Sequence, residues 1–119
     1  MLAIRTGRID FVSDTGSRTN FQMAWFPTQT IRECSVGMGG YNVAYSSGDH
    51  ELKTVEVALR CSLVNTEFGP GIQVAATLHL RDRNGDDSFQ GWVDYVLFAE
   101  VGQPPILDPN VLDVNVVIQ

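Results

Sequence analysis

Val55-Glu56-Val57-Ala58-Leu59-Arg60-Cys61-Ser62-Leu63 carries apolar side chains at every odd position, with Glu56, Ala58, Arg60 and Ser62 between them. Period two over this length is the pattern of a strand with one buried face. After Gly69-Pro70-Gly71 the alternation resumes. Ile72, Val74, Ala76, Leu78 and Leu80 take one side, and Gln73, Ala75, Thr77, His79 and Arg81 the other. The Gly-Pro-Gly turn joins two such runs as a hairpin. A further strand is expected from about Gly91 to Val101, beyond a polar stretch whose Asn84-Gly85 suits a tight turn. Three consecutive strands of this kind imply a meander.

Upstream, strands are expected near Leu2 to Val12, near Phe21 to Phe26 before Pro27, and near Ile31 to Met38. Gly37, Gly39 and Gly40 crowd the end of the last, which implies a bulge or bend before Tyr41 to Tyr45 continues extended. No stretch has convincing helical period, so the fold class is all-β: a single antiparallel β-sandwich or flattened barrel. The sandwich domain spans residues 1–101. Residues 102–119 form a C-terminal extended arm, broken by Pro104-Pro105 and Asp108-Pro109 and ending in the apolar row Leu112, Val114, Val116 and Ile118.

With 119 residues, 44% hydrophobic and 18% charged, the composition is that of one globular domain. Fourteen acidic against eight basic residues give a net charge of -6, a field that repels phosphate backbones and anionic lipid. Nucleic acid is therefore not an expected partner. No apolar run approaches the roughly 20 residues that cross a bilayer, and Met1 to Thr6 lacks a basic-then-apolar leader. Membrane insertion is not expected. Cytoplasmic synthesis is, with non-classical release or assembly into a particle to follow.

Cys34 and Cys61 share parity with apolar neighbours and read as buried free thiols. There is no Cys-x-x-Cys pair, and His50 and His79 lie far apart in sequence, so no metal site is expected. Asp49-His50-Glu51 sets a base beside two carboxylates, but neighbours on an extended segment point to opposite sides. Without a nucleophile elbow, metal motif or phosphate loop, the chain reads as non-enzymatic, with no catalytic residue and no cofactor. Asp82 to Asp87 spaces oxygen side chains as calcium loops do, yet puts Asp87 and Val93 where a glycine and a closing glutamate belong. A hairpin turn explains that composition. His79, on the polar side of its strand, reads as a surface residue.

In the last predicted strand Val93, Tyr95, Leu97, Ala99 and Val101 form the core-facing row, while the opposite parity still carries Trp92, Val96 and Phe98. Either this strand is buried on both faces, or those three meet another subunit or a sugar.

Thr6-Gly7-Arg8-Ile9-Asp10-Phe11, the stretch from Val36 to Tyr45, and Gly91-Trp92-Val93-Asp94-Tyr95 together resemble the H-type lectins. That resemblance covers about the first hundred residues and implies a six-stranded sandwich subunit that self-associates and binds sugars such as N-acetylgalactosamine. The arm has no counterpart in it. The leading expectation is a lectin-like, homo-oligomeric, carbohydrate-binding sandwich whose ligand contacts are Tyr45, Asp49, His50, Asp86, Asp87 and Trp92. Carboxylates would bond sugar hydroxyls while the indole packs on the ring. The alternative is a structural subunit of a virion, tail or filament that clasps its neighbour with the arm.

Overall fold

The computed structural model describes residues 1–46, 54–81 and 88–102. These form six strands: β1 (Leu2–Asp14), β2 (Arg18–Trp25), β3 (Thr30–Tyr45), β4 (Thr54–Thr66), β5 (Gly69–Arg81) and β6 (Phe89–Gly102). They build two antiparallel three-stranded sheets, ordered β1-β6-β3 and β2-β5-β4. The chain is all-β and sandwich-like, with no helix among the described residues. The expected β4-β5 hairpin is present, with Val57 opposite Leu78 and Cys61 opposite Val74. The expected meander is not. β6 leaves its predecessor and lies between β1 and β3 in the facing sheet. Local alternation determines which face of a strand is buried, and it carries no information about which neighbour the strand pairs with.

The core lies between the two central strands. Ile72, Val74, Ala76 and Leu78 of β5 are fully buried, as are Val93 and Leu97 of β6, with Ala99 and Val101 nearly so. From β1, Ile9 and Phe11 join them, and Phe26 and Phe89 close the layer. The outward parity of β6 is not buried in the same way: Trp92 and Val96 are half-buried and Phe98 is exposed. Leu59 of β4 is only partly buried and packs at the margin of this core. His79 corrects the reading of it as a surface residue. It is only 8% exposed, its ring lying 6.2 Å from that of Phe89.

Two glycines fit their strands for steric reasons. Gly7 stands opposite Tyr95 in the β1-β6 register. A Cβ there would lie 2.5 Å from Tyr95 Cζ, so the phenol ring occupies the space of the missing side chain. Its hydroxyl donates to Gln22 Oε1 on β2 and joins the two sheets at the β1 and β2 side of the sandwich. Gly71 similarly lies under Trp25, whose Cε3 is 2.9 Å from where a Cβ would be. The bulge expected from Gly37, Gly39 and Gly40 appears as a register shift between Met38 and Gly40.

The two long openings of the sandwich differ in kind. Along β1 and β2, polar side chains bridge the sheets. Asn20 Nδ2 donates to the Asp10 carbonyl (2.8 Å), Gln22 Nε2 to the Arg8 carbonyl (3.2 Å), and Arg18 Nη1 to the Val12 carbonyl. Arg5 Nη1 returns the favour to the Trp25 carbonyl at 2.7 Å. Successive bonds two residues apart thus satisfy carbonyls along an edge strand that has no sheet partner on that side. Along β3 and β4 the inward residues are apolar and only partly covered: Ile31, Cys34, Val36 and Val43 face Val55, Val57, Leu59 and Cys61.

Candidate functional site

The outer face of the β1-β6-β3 sheet gathers the chemistry. Antiparallel register sets residues abreast on one face, so Asp10, Trp92 and Asn42 form one row and Arg8, Asp94 and Gly40 the next. Arg8 lies flat on the indole, its guanidinium carbon 3.7 Å from the Trp92 ring centroid. It also grips Asp94 with both ends of the fork, Nε to Oδ1 at 2.7 Å and Nη2 to Oδ2 at 3.1 Å. That hydrogen-bonded pairing holds the Asp94 carboxyl below its ordinary pKa and raises that of Arg8. Arg8 is exposed and Asp94 only half-buried, so the pair orients side chains more than it stabilises the fold.

Further along the same face the next rows place Thr6, Val96 and Gly37 together, then Ile4, Phe98 and Ser35. A depression of about 330 Å³ is lined by Leu2, Glu33, Cys34, Ser35, Phe98 and Glu100. Phe98 is 37% exposed at this spot, with Glu33, Ser35 and Glu100 around it, and Glu100 Oε1 accepts from the N-terminal ammonium of Met1 at 2.5 Å. On β3, Ser35 stands abreast of Phe98, and one row on a Cβ at Gly37 would meet nothing within 4 Å, so that flank of the ring is thinly covered. An exposed aromatic face ringed by hydrogen-bonding oxygens offers both halves of what a small polyhydroxylated ligand requires.

Of the six ligand contacts expected from sequence, Trp92 is on this face, but Arg8 already occupies the ring face a pyranose would stack on. Tyr45 is on the opposite side of the sheet. It stands abreast of Phe89 and packs against the core margin. Asp49, His50, Asp86 and Asp87 lie outside the described residues, as do the Asp82 to Asp87 loop and the arm beyond Gly102. Arg8, Asp94, Glu33, Ser35 and Glu100 were not singled out from the sequence. Phe98 was, through its place on the outward parity of β6.

Cys34 and Cys61 come from facing sheets and are free thiols in contact with each other. Burial, then the hydrogen bond with Cys34, pushes the Cys61 thiol up to about 12. No grouping of three or more metal-ligating side chains occurs among the described residues. No helix among them is long and apolar enough to cross a membrane. Comparisons with family models, curated proteins and solved structures found no match to this chain.

Proposed function

We propose that this chain is a non-enzymatic, lectin-like sandwich that self-associates and recognises carbohydrate through the depression around Phe98. The observation that carries the reading is the exposed Phe98 ring, with Glu33, Glu100 and Ser35 around it in a concavity of about 330 Å³. A pyranose has one apolar face of C–H groups and a rim of hydroxyls. Phe98 serves the first, while the Glu33 carboxylate and the Glu100 oxygen that the N-terminal ammonium of Met1 does not hold accept hydrogen bonds from the second. Arg8 and Asp94, held on Trp92 one end of the face away, extend the polar surface toward longer saccharides.

A glycan array read with the full chain tests this, followed by saturation-transfer NMR on any sugar retained. Binding that Phe98→Ala abolishes and Trp92→Ala weakens only for longer saccharides is the expected result. A second reading has its own support. Leu2 and Ile4 are exposed beside Phe98, and an apolar strip on a sheet face also suits a neighbouring protein in a larger assembly. An array with no retained sugar would favour that structural-subunit reading.

A further inference from the structure

We infer that the β3/β4 opening of the sandwich is the surface on which a second copy of this chain packs, an inference that rests on the self-association in the reading above. β3 and β4 run antiparallel across the opening, with Cys34 against Cys61, and with Ile31 and Leu63 together lining a hollow farther down. All the inward residues along it are uncharged. Met38 is 53% exposed, Tyr41 46% and Leu63 47%, although Met38 and Tyr41 stand abreast of buried Tyr95 and Val93, and Leu63 abreast of buried Ile72. Their parity points into the core and their surface points into water. Side chains patterned for burial and left half-covered along two whole strands mark an unfilled contact.

Three observations select a second copy as the occupant. The first is size. Thirteen residues of β4 at about 3.3 Å per residue run for about 43 Å. Two edges about 10 Å apart, each with a strand spacing beyond, make a band about 20 Å wide, hence about 860 Å² against the roughly 800 Å² per partner of a standard interface. The second is charge. The chain carries -6, yet β3 and β4 hold two arginines, Arg32 and Arg60, and two glutamates, Glu33 and Glu56. All four are exposed, so the two strands carry no net charge and two copies meeting along them escape the repulsion that the rest of the surface imposes. Glu33 marks the line between this rim and the Phe98 depression. The third is the contrast with the β1/β2 opening, where Arg18, Asn20 and Gln22 already satisfy the edge.

Light scattering and analytical ultracentrifugation of the full chain provide the test, with Leu63→Glu and Met38→Glu as variants. Both positions face water in the single subunit, so the folded subunit tolerates them, and unchanged far-ultraviolet dichroism checks that it does. The wild type is expected to be oligomeric, and either variant to raise the dissociation constant at least ~100-fold, as charges placed in a desolvated interface do. A photocrosslinking residue at position 63 should then link to residues 30–45 or 54–66 of another copy. Variants that leave the size unchanged while Ile4→Glu reduces it would move the interface to the outer sheet face and overturn this inference, with self-association intact. Crosslinks to residues 103–119 would overturn it in favour of the arm as occupant. A monomeric wild type would overturn both this inference and the self-association it rests on.

Discussion

Gly7→Ala reverses sign depending on whether the packing described above is correct. In the middle of a strand alanine is ordinarily better than glycine by roughly 0.5 to 1 kcal/mol, because glycine loses more backbone freedom on folding. Gly7 has no left-handed backbone angle that would exclude alanine. Its obstacle is Tyr95. The new methyl would sit 2.5 Å from Tyr95 Cζ, where ordinary carbon contacts begin near 3.5 Å, so the ring must retreat by about 1 Å within a nearly fully buried site. Overpacking of that kind costs about 1 to 3 kcal/mol, and displacing the hydroxyl from Gln22 Oε1 adds about 1 kcal/mol. After the backbone gain is subtracted, a net loss of about 1 to 3 kcal/mol remains, or about 4 °C of melting temperature per kcal/mol in a domain of this size. Urea unfolding followed by tryptophan fluorescence measures it. The double variant with Tyr95→Leu provides the control, since a shorter side chain vacates the phenol position and the alanine should then cost little beyond Tyr95→Leu alone. A stabilised Gly7→Ala, or a double variant whose losses simply add, would refute the interlocking of Gly7 and Tyr95.

The core layers predict a graded truncation series. Leu78→Ala and Leu97→Ala, both fully buried, should cost about 2 to 5 kcal/mol, while Leu59→Ala at the margin should cost about 1 to 2 kcal/mol by denaturant titration. Equal losses at all three would contradict the half-open β4 edge. The Cys61 thiol, pushed up to about 12 by burial and by Cys34, stays protonated at pH 8 and should react with iodoacetamide far more slowly in the native protein than after denaturation. Its folded pKa lies above the unfolded one, so its contribution to stability is present below the unfolded value and is lost as pH rises toward 12. Rapid native labelling of Cys61 at pH 8 would contradict its contact with Cys34. For Asp94 the sign is opposite: with a folded pKa below the unfolded one, its small contribution holds above the unfolded value and fades as pH falls through the folded one. An NMR titration should show its midpoint rising in Arg8→Gln, and an unmoved midpoint would show that the fork does not hold the carboxylate.

Alternation in β5 and β6 predicted the buried faces, and in β4 it predicted the inward parity though not full burial, because a strand's side-chain period is two whatever it pairs with. Val93, Tyr95, Leu97, Ala99 and Val101 are all buried as expected. Pairing was not legible in the same way. The assignment of β6 to the sheet of β1 and β3 depends on a connection whose composition suits a hairpin and a sheet crossing equally. β2 was read from Phe21 because its first residues, Arg18, Thr19 and Asn20, are polar. Their side chains turn out to serve partners on other strands, with Arg18 and Asn20 bonding β1 carbonyls and Thr19 bonding the Thr77 hydroxyl at 2.7 Å. The Phe98 depression was half legible. The aromatic was visible as a break in polar parity, but Glu33 and Ser35 lie more than sixty positions away and reach it only through the β3-β6 register.

The difference between β2 and β4 is the most informative feature of the chain, since the two strands flank β5 in equivalent positions. At an edge of a sandwich an inward side chain has the core on one side and the opening on the other. β2 answers with Arg18, Asn20 and Gln22, whose stems cover apolar surface while their heads bond the edge of β1. Water can reach that edge without uncovering the core. β4 places Val57, Leu59, Cys61 and Leu63 at the corresponding positions, and of these Cys61 alone reaches a polar partner on β3, the thiol of Cys34. Apolar residues that finish half-covered forfeit much of the stabilisation their burial would bring, about 25 cal/mol for each Å² left wet. A subunit whose final state were the single sandwich would do better with β2's solution on both sides. The proposed packing of a second copy along β3 and β4 would give that apolar row the cover that the polar heads of β2 give the other edge.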